Sequence, residues 1–446
     1  MYFLFGQMPE FQFSRRLVAR VVVCGATSLR LPAIAIAITL SMAWPVFAQQ
    51  DIPLTLAAAE DRALAAEPGQ QALHARANAL VEQAVIAGEL PDPVLRLGLN
   101  NFPLQSGGFS TEGMTHAAVG IRQSFPAGDT LELKAEQFNL LAGEMQQNAE
   151  ARGRNVLNAV RWSWLDRYYW EQAHDLVSES RPFFDDLATI TRSLYAVGRK
   201  TQQDVLRAEL ELSRLDDRLI DIEQQISRTQ AELGEWIGQD ASRPVANKLP
   251  TWEHLPTLAA MQASLQEHPM LRAADAQIEA RRAGVEIAEE RSKPGWALDM
   301  GYSYREGSLP SGQPRSDFIS LGVTVDLPFF SKQSVDSTLT AALQERSAAT
   351  YTREQTLREL RRRLEAEHAH WRDLTRRLEL YDRQILGQAR EQAEASLLAY
   401  QSDRGDFADV MRAYIDDLNT RIDRIRLAVE RAQSYAVLAN LGGLPR

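Results

Sequence analysis

From Ile319 to Leu327 apolar and polar residues alternate strictly: Ile319, Leu321, Val323, Val325 and Leu327 on one face, Ser320, Gly322, Thr324 and Asp326 on the other. The stretch Trp296–Arg305 does the same, with Trp296, Leu298, Met300, Tyr302 and Tyr304 opposed to Ala297, Asp299, Gly301, Ser303 and Arg305. Two earlier segments repeat the pattern, Leu95, Leu97 and Leu99 between Arg96, Gly98 and Asn100, then Val119, Ile121 and Phe125 among Gly120, Arg122 and Ser124. Period two predicts four strands with one apolar and one polar face. Each is about ten residues, the length a tilted strand needs to cross a bilayer. The same alternation also suits a half-buried sheet of a soluble protein. Four strands do not close a barrel, which takes about eight, so a membrane reading requires several chains to share one.

The rest of the chain reads as helix. Between Gly128 and Gly198 only Gly143, Gly153 and Pro182 interrupt, and an unbroken helix there would be about 105 Å long. The arm Ser331–Asp403 matches it at about 108 Å. Its apolar residues Leu357, Leu360, Leu364, Trp371, Leu374, Leu378, Tyr381 and Ile385 step by three and four, with one step of seven across Glu367. The first hairpin's returning arm carries Leu206, Leu210, Leu219, Ile222 and Ile226. Such heptads predict coiled-coil packing.

The chain is written twice. Thr55-Leu-Ala-Ala58 recurs as Thr257-Leu-Ala-Ala260, Glu67-Pro68 matches His268-Pro269, and Gly120 and Pro126 match Gly322 and Pro328. Tyr195, Arg199, Asp204-Val205 and Arg207-Ala208 match Tyr400, Arg404, Asp409-Val410 and Arg412-Ala413 at an offset of 205. Ordered matches at nearly one offset predict tandem duplication. The expected plan is a first repeat over 49–240, an inter-repeat segment over 241–258 and a second repeat over 259–446, each repeat a helix, two strands and a long helical hairpin.

Arg15, Arg16, Arg20 and Arg30 precede an apolar run from Leu31 to Phe47, and Val46-Phe47-Ala48 resembles a cleavage site. Residues 1–48 are expected to be a secretory signal, with a retained anchor as the alternative. Without them 45 basic and 58 acidic residues remain, a net charge of −13, and no Cys. Thiolate chemistry is therefore excluded from the exported chain. The acidic balance argues against nucleic acid as a partner, and an acidic pore lining would favour cations. The mean hydropathy of −0.30 speaks against a helical membrane protein but not against a β-barrel. Arg361-Arg362-Arg363, between Glu359 and Glu365, reads as a solvated helix face. Trp162, Trp164, Tyr168, Tyr169 and Trp170 read as packing between helices rather than a ligand site. His368 and His370 do not share a helical face. No catalytic motif, metal site or cofactor site is present in the sequence, and no enzyme is expected.

Taken together, the signal, the two repeats, Tyr195-Ala-Val-Gly-Arg199 and Asp204-Val-Leu-Arg-Ala208 resemble the TolC family of outer-membrane efflux channels over nearly the whole exported chain. Leu90–Leu104 (LPDPVLRLGLNNFPL) resembles the heavy-metal efflux branch. The resemblance implies a mainly α fold with a small β part: a homotrimer with a twelve-stranded barrel in the outer membrane of a Gram-negative bacterium and a periplasmic helical tunnel. It implies a periplasmic adaptor (membrane fusion) protein and an inner-membrane RND-type pump as partners. It also implies a periplasmic aperture at the hairpin turns formed by Asp204, Tyr400, Arg404, Asp409 and Arg412. Arg412 stands where the family's pattern has a second pore aspartate, and Arg404 is one position from the gating arginine. Asp204 and Asp409 also suit helix N-caps. Gly198, Arg199, Asp403 and Gly405 are expected to touch the adaptor, and Gly98, Gly120, Gly301 and Gly322 to face the barrel lumen. Heavy-metal cations are the implied cargo and organic compounds the alternative. A soluble periplasmic coiled-coil scaffold is the reading from another class.

Overall fold

A computed structural model of the chain describes residues 53–65, 67–252, 254–328, 332–402 and 404–442. The expected signal, residues 1–48, lies outside the described residues.

Helices α1 (Leu56–Ala65) and α2 (Pro68–Gly88) lead into β1 (Val94–Asn100) and β2 (His116–Phe125). The first hairpin follows, α3 (Thr130–Ala196) and α4 (Gln202–Ile237). The second set is α5 (Leu258–Ser264), α6 (Pro269–Glu290), β3 (Trp296–Tyr304), β4 (Phe318–Val325), α7 (Lys332–Leu380), α8 (Leu386–Gln401) and α9 (Phe407–Gly442). A five-residue π-helical turn, Tyr381–Ile385, joins α7 to α8. Two helices, rather than the one expected, precede the strands in each set, and a long helical hairpin follows them. At 67 residues α3 is about 100 Å long. No helix among the described residues is long and apolar enough to cross a membrane.

Helix starts show the same duplication with different chemistry. Glu67 precedes α2, accepts the Gln70 N–H and pairs with Arg152 of α3 at 2.8 Å. His268, its counterpart, precedes α6 and accepts the Met270 N–H through Nδ1 at 3.3 Å. In both helices a proline fills the first turn, where its missing N–H is not needed.

The coiled-coil seam of α4 is Ala208, Leu215, Ile222, Thr229 and Leu233, all buried, with Leu212, Leu219 and Ile226 partly buried between them. That is an alternation of four and three. Leu206 and Leu210, expected on this seam, are off it and exposed, because the seam starts at the small Ala208. On α7, Leu360, Leu364, Leu374 and Leu378 are buried as the heptads predict, the first two beside Val437 and Leu438 and the others beside Leu427 of α9.

The aromatic cluster packs helices together. The Trp164 indole donates to the Leu54 carbonyl at 2.9 Å and stacks on Tyr168 at 5.8 Å. The Arg426 guanidinium lies 4.1 Å from the Tyr169 ring centre. A buried ion pair, Arg161 Nε to Glu60 Oε1 at 2.6 Å, ties α3 to α1.

The four strands form one antiparallel sheet in chain order, β1-β2-β3-β4. Strand lengths run from seven residues in β1 to ten in β2; the edge strands β1 and β4 are the shortest, each having a ladder partner on one side only.

Candidate functional site

The register lines the apolar residues up across the whole sheet. Leu97 faces Val119, which faces Tyr302, which faces Ile319. The next row of that face is Leu95, Ile121, Met300 and Leu321. All eight are exposed, Ile319 at 77%. In water, a soluble sheet buries such a face against a second layer; here it stays bare. The two edges, β1 and β4, also have unpaired ladder groups. A bare apolar face suits lipid, but open edges do not, because lipid offers no hydrogen-bond partner. Only closure of the sheet with further strands satisfies both.

The opposite face is polar. Gly98, Gly120, Gly301 and Gly322 all fall on it by register, with Gly120 directly opposite Gly301. A Cβ on Gly120 would come within 3.2 Å of the Met300 carbonyl oxygen, so this row keeps strands close and the surface thin. Within the four strands the charges on this face are Arg96, Arg122 and Asp299. Both guanidiniums lie 3.8 Å from Asp299 Oδ1, and Thr324 Oγ1 donates to Oδ2 at 3.0 Å. On this face of the strands two arginines meet one aspartate.

The hairpin turns form the second candidate region. At the end of α3, Gly198 takes φ +73°. Its N–H donates to the Tyr195 carbonyl, and the Arg199 N–H to the Leu194 carbonyl, both at 2.9 Å. This is the Schellman arrangement, which needs a left-handed residue and so favours glycine. The second turn repeats the outer bond, Arg404 N–H to the Ala399 carbonyl at 2.9 Å. Asp403 lies outside the described residues. Gly405 packs against its own helix end, where a Cβ would meet the Tyr400 nitrogen at 3.0 Å.

Asp204 and Asp409 are not the N-caps of their helices; each stands three residues further in. Thr201 caps α4, with Asp204 N–H to Thr201 Oγ1 at 3.3 Å and Thr201 N–H to Asp204 Oδ2 at 3.1 Å, a capping box. Before α9, Asp406 accepts the Ala408 N–H at 3.4 Å. Asp409 instead receives Arg412 Nη1 at 3.1 Å, one turn on, with both side chains exposed. The Arg404 side chain is exposed and has no ion pair among the described residues.

Tyr400 is 6% exposed, with its ring 5.6 Å from Phe407 and the Lys200 ammonium 4.1 Å from its centre. The structure thus brings Tyr400 to the first turn. Lys200, the partner from that turn, is absent from the sequence-based set. The offset of 205 places it opposite Gly405, and that mismatch between repeats was the available signal. Tyr195, the counterpart of Tyr400, is exposed. No group of His, Cys, Asp or Glu suited to hold a metal ion occurs among the described residues.

A four-stranded sheet set into two duplicated helical hairpins is the fold of the outer-membrane efflux channels. Residues 260–444 match the family model described as outer membrane efflux protein. Three solved structures share the fold. The outer-membrane channel OprN is 16% identical, with a TM-score of 0.72, covering 87% of this chain and 90% of that one. The transmembrane channel CusC is 14% identical, with a TM-score of 0.71 and coverages of 88% and 92%. The outer membrane protein VceC from Vibrio cholerae is 16% identical, with a TM-score of 0.72 and coverages of 87% and 96%. No curated protein matches the sequence. The matched family and these neighbours are channels and membrane proteins rather than enzymes.

Proposed function

We propose that the protein is the outer-membrane duct of a tripartite efflux system. The observation that carries this reading is the sheet with one bare apolar face and two open edges, in a chain whose residues 260–444 match an efflux protein. Three copies pairing β4 of one with β1 of the next would give a twelve-stranded barrel and hide every edge. The long hairpins would extend the passage into the periplasm, where the turns meet a periplasmic adaptor. An RND-type inner-membrane pump supplies the energy. In this arrangement Asp204, Tyr400, Arg404, Asp409 and Arg412 lie at the periplasmic aperture. Gly198, Arg199, Asp403 and Gly405 contact the adaptor, and Gly98, Gly120, Gly301 and Gly322 face the lumen.

The exposed Asp409–Arg412 pair is of the kind worth under about 1 kcal/mol, so Asp409 stays available to passing cations. Planar-bilayer recording tests this. Asp409→Ala, alone or with Asp204→Ala, should raise conductance or weaken cation block, with Asp204→Asn as the control that keeps a side-chain acceptor at the capping box. Unchanged conductance and selectivity in the double variant would remove the aperture role. Fractionation separates the duct from a periplasmic scaffold, since a scaffold would extract without detergent. Two cargo classes remain, heavy-metal cations from the Leu90–Leu104 resemblance and organic compounds. Growth of a deletion strain across metal salts and drugs discriminates them.

A further inference from the structure

We infer that the strand-lined part of the passage carries a positive belt, set by Arg96 and Arg122 against Asp299, that favours anionic solutes. The inference rests on the channel reading above and deepens it by naming a solute class.

In the four strands the only Lys, Arg, Asp or Glu residues are Arg96, Arg122 and Asp299. Register places all three on the polar face. Arg122 is directly opposite Asp299, and Arg96 lies across from Gly120. One carboxylate serves two guanidiniums at 3.8 Å each, too long for bidentate hydrogen bonds. Thr324 takes one of its oxygens. Each protomer thus keeps one uncompensated positive charge at this level, and a closed trimer about three.

The surroundings leave that charge effective. Gly120 stands opposite Arg96 and Gly322 opposite Asp299, and neither puts a side chain over the cluster. They leave a recess of about 250 Å³ beside Arg96 and Asp299. Behind the sheet is the bare apolar face, so in a membrane the belt backs onto lipid. Low-dielectric walls focus the field into the lumen. Rings of arginine of this kind select anions. The belt opposes the chain's overall charge of −10. It disfavours free metal cations as barrel-crossing cargo and suits organic anions or anionic complexes.

The test is block of single trimers in planar bilayers by hexacyanoferrate(II), an anion, and hexaamminecobalt(III), a cation. Each is added to one chamber and then the other, so that one addition reaches the barrel before the hairpin aperture. Hexacyanoferrate(II) should block the wild type from one side. Its half-block concentration should rise about tenfold in Arg96→Gln/Arg122→Gln and fall severalfold in Asp299→Asn. Equal block of wild type and both variants, or hexaamminecobalt(III) as the better blocker from both sides, overturns the belt while a conducting trimer keeps the channel reading. Absence of any wild-type conductance would sink the channel reading instead. If the double arginine variant fails to form heat-modifiable trimers, the single substitutions and Asp299→Asn decide.

Discussion

The Lys200 ammonium sits 4.1 Å from the centre of the Tyr400 ring, joining the turn of the first hairpin to the end of the second across 200 residues of chain. The duplicated sequence puts Gly405 where Lys200 stands and an exposed Tyr195 where Tyr400 stands. Each protomer therefore holds one such contact, and the reciprocal position is bare. Under the trimer reading, this contact latches the two tips of one protomer to each other. Cation–π contacts are worth about 0.5–2 kcal/mol depending on solvation. Lys200→Gln should raise the open fraction of single channels by roughly fivefold, on the basis of about 1 kcal/mol. Recordings in which Lys200→Gln and wild type open equally often would show that the contact closes nothing.

The two turn glycines should differ in their response to substitution. At Gly198 a Cβ meets open space but φ is +73°, so Gly198→Ala pays only the backbone cost, about 1 kcal/mol. At Gly405 the obstacle is the Tyr400 backbone at 3.0 Å, so Gly405→Val must displace the end of α8. Limited proteolysis should cut Gly405→Val within 398–410 faster than Gly198→Ala cuts within 194–201. Similar rates would mean that the second turn absorbs the side chain.

Glu60 and Arg161 are both nearly inaccessible and paired at 2.6 Å. Removing one partner of such a pair typically costs about 3–5 kcal/mol, because the other is left charged and dry. Glu60→Ala should therefore lower the thermal midpoint of the detergent-solubilised protein markedly. Glu60→Leu/Arg161→Met should recover much of the loss. A double variant no more stable than Glu60→Ala would show that the ion pair itself, rather than relief from an unpaired charge, matters there.

His268 gives the chain a mildly acidic stability limit. Burial, reinforced by the Arg154 guanidinium, lowers its pKa from 6.5 to about 4. The folded protein then binds fewer protons than the unfolded chain between those values. Stability should fall as pH drops from about 6.5 to about 4, by on the order of 3 kcal/mol. Glu67, its repeat counterpart, is held below the usual carboxylate range: burial pushes it upward but is outweighed by Arg152 and backbone N–H groups. Its contribution fades only in more acidic solution. Denaturation midpoints of wild type and His268→Asn at pH 7 and pH 5 test this. The variant, which keeps a capping side chain, should lose most of the pH difference, and an undiminished difference would exclude His268 as its source.

Much of the architecture was legible because its signals are local. The alternation from Ile319 to Val325 is in the sheet, and the heptads Leu360, Leu364, Leu374 and Leu378 are in the core. What escaped depends on partners far along the chain or on competition between neighbours. Leu206 and Leu210 look like seam residues, but packing chose the row through Ala208, since small residues let helices approach. Asp204 and Asp409 look like caps, but Thr201 and Asp406 take that position. The π-helical turn at Tyr381–Ile385 left no readable sign. The excess of arginine over acid in the strands was written in the sequence, yet overall acidity concealed it, because the total charge averages over faces.

The bare edges of β1 and β4 have a genetic consequence. If no protomer can finish its sheet alone, a subunit with a damaged edge spoils every assembly it joins. In a cell making equal amounts of intact and edge-defective chain, random mixing leaves roughly one trimer in eight wholly intact. Edge lesions should therefore act dominantly.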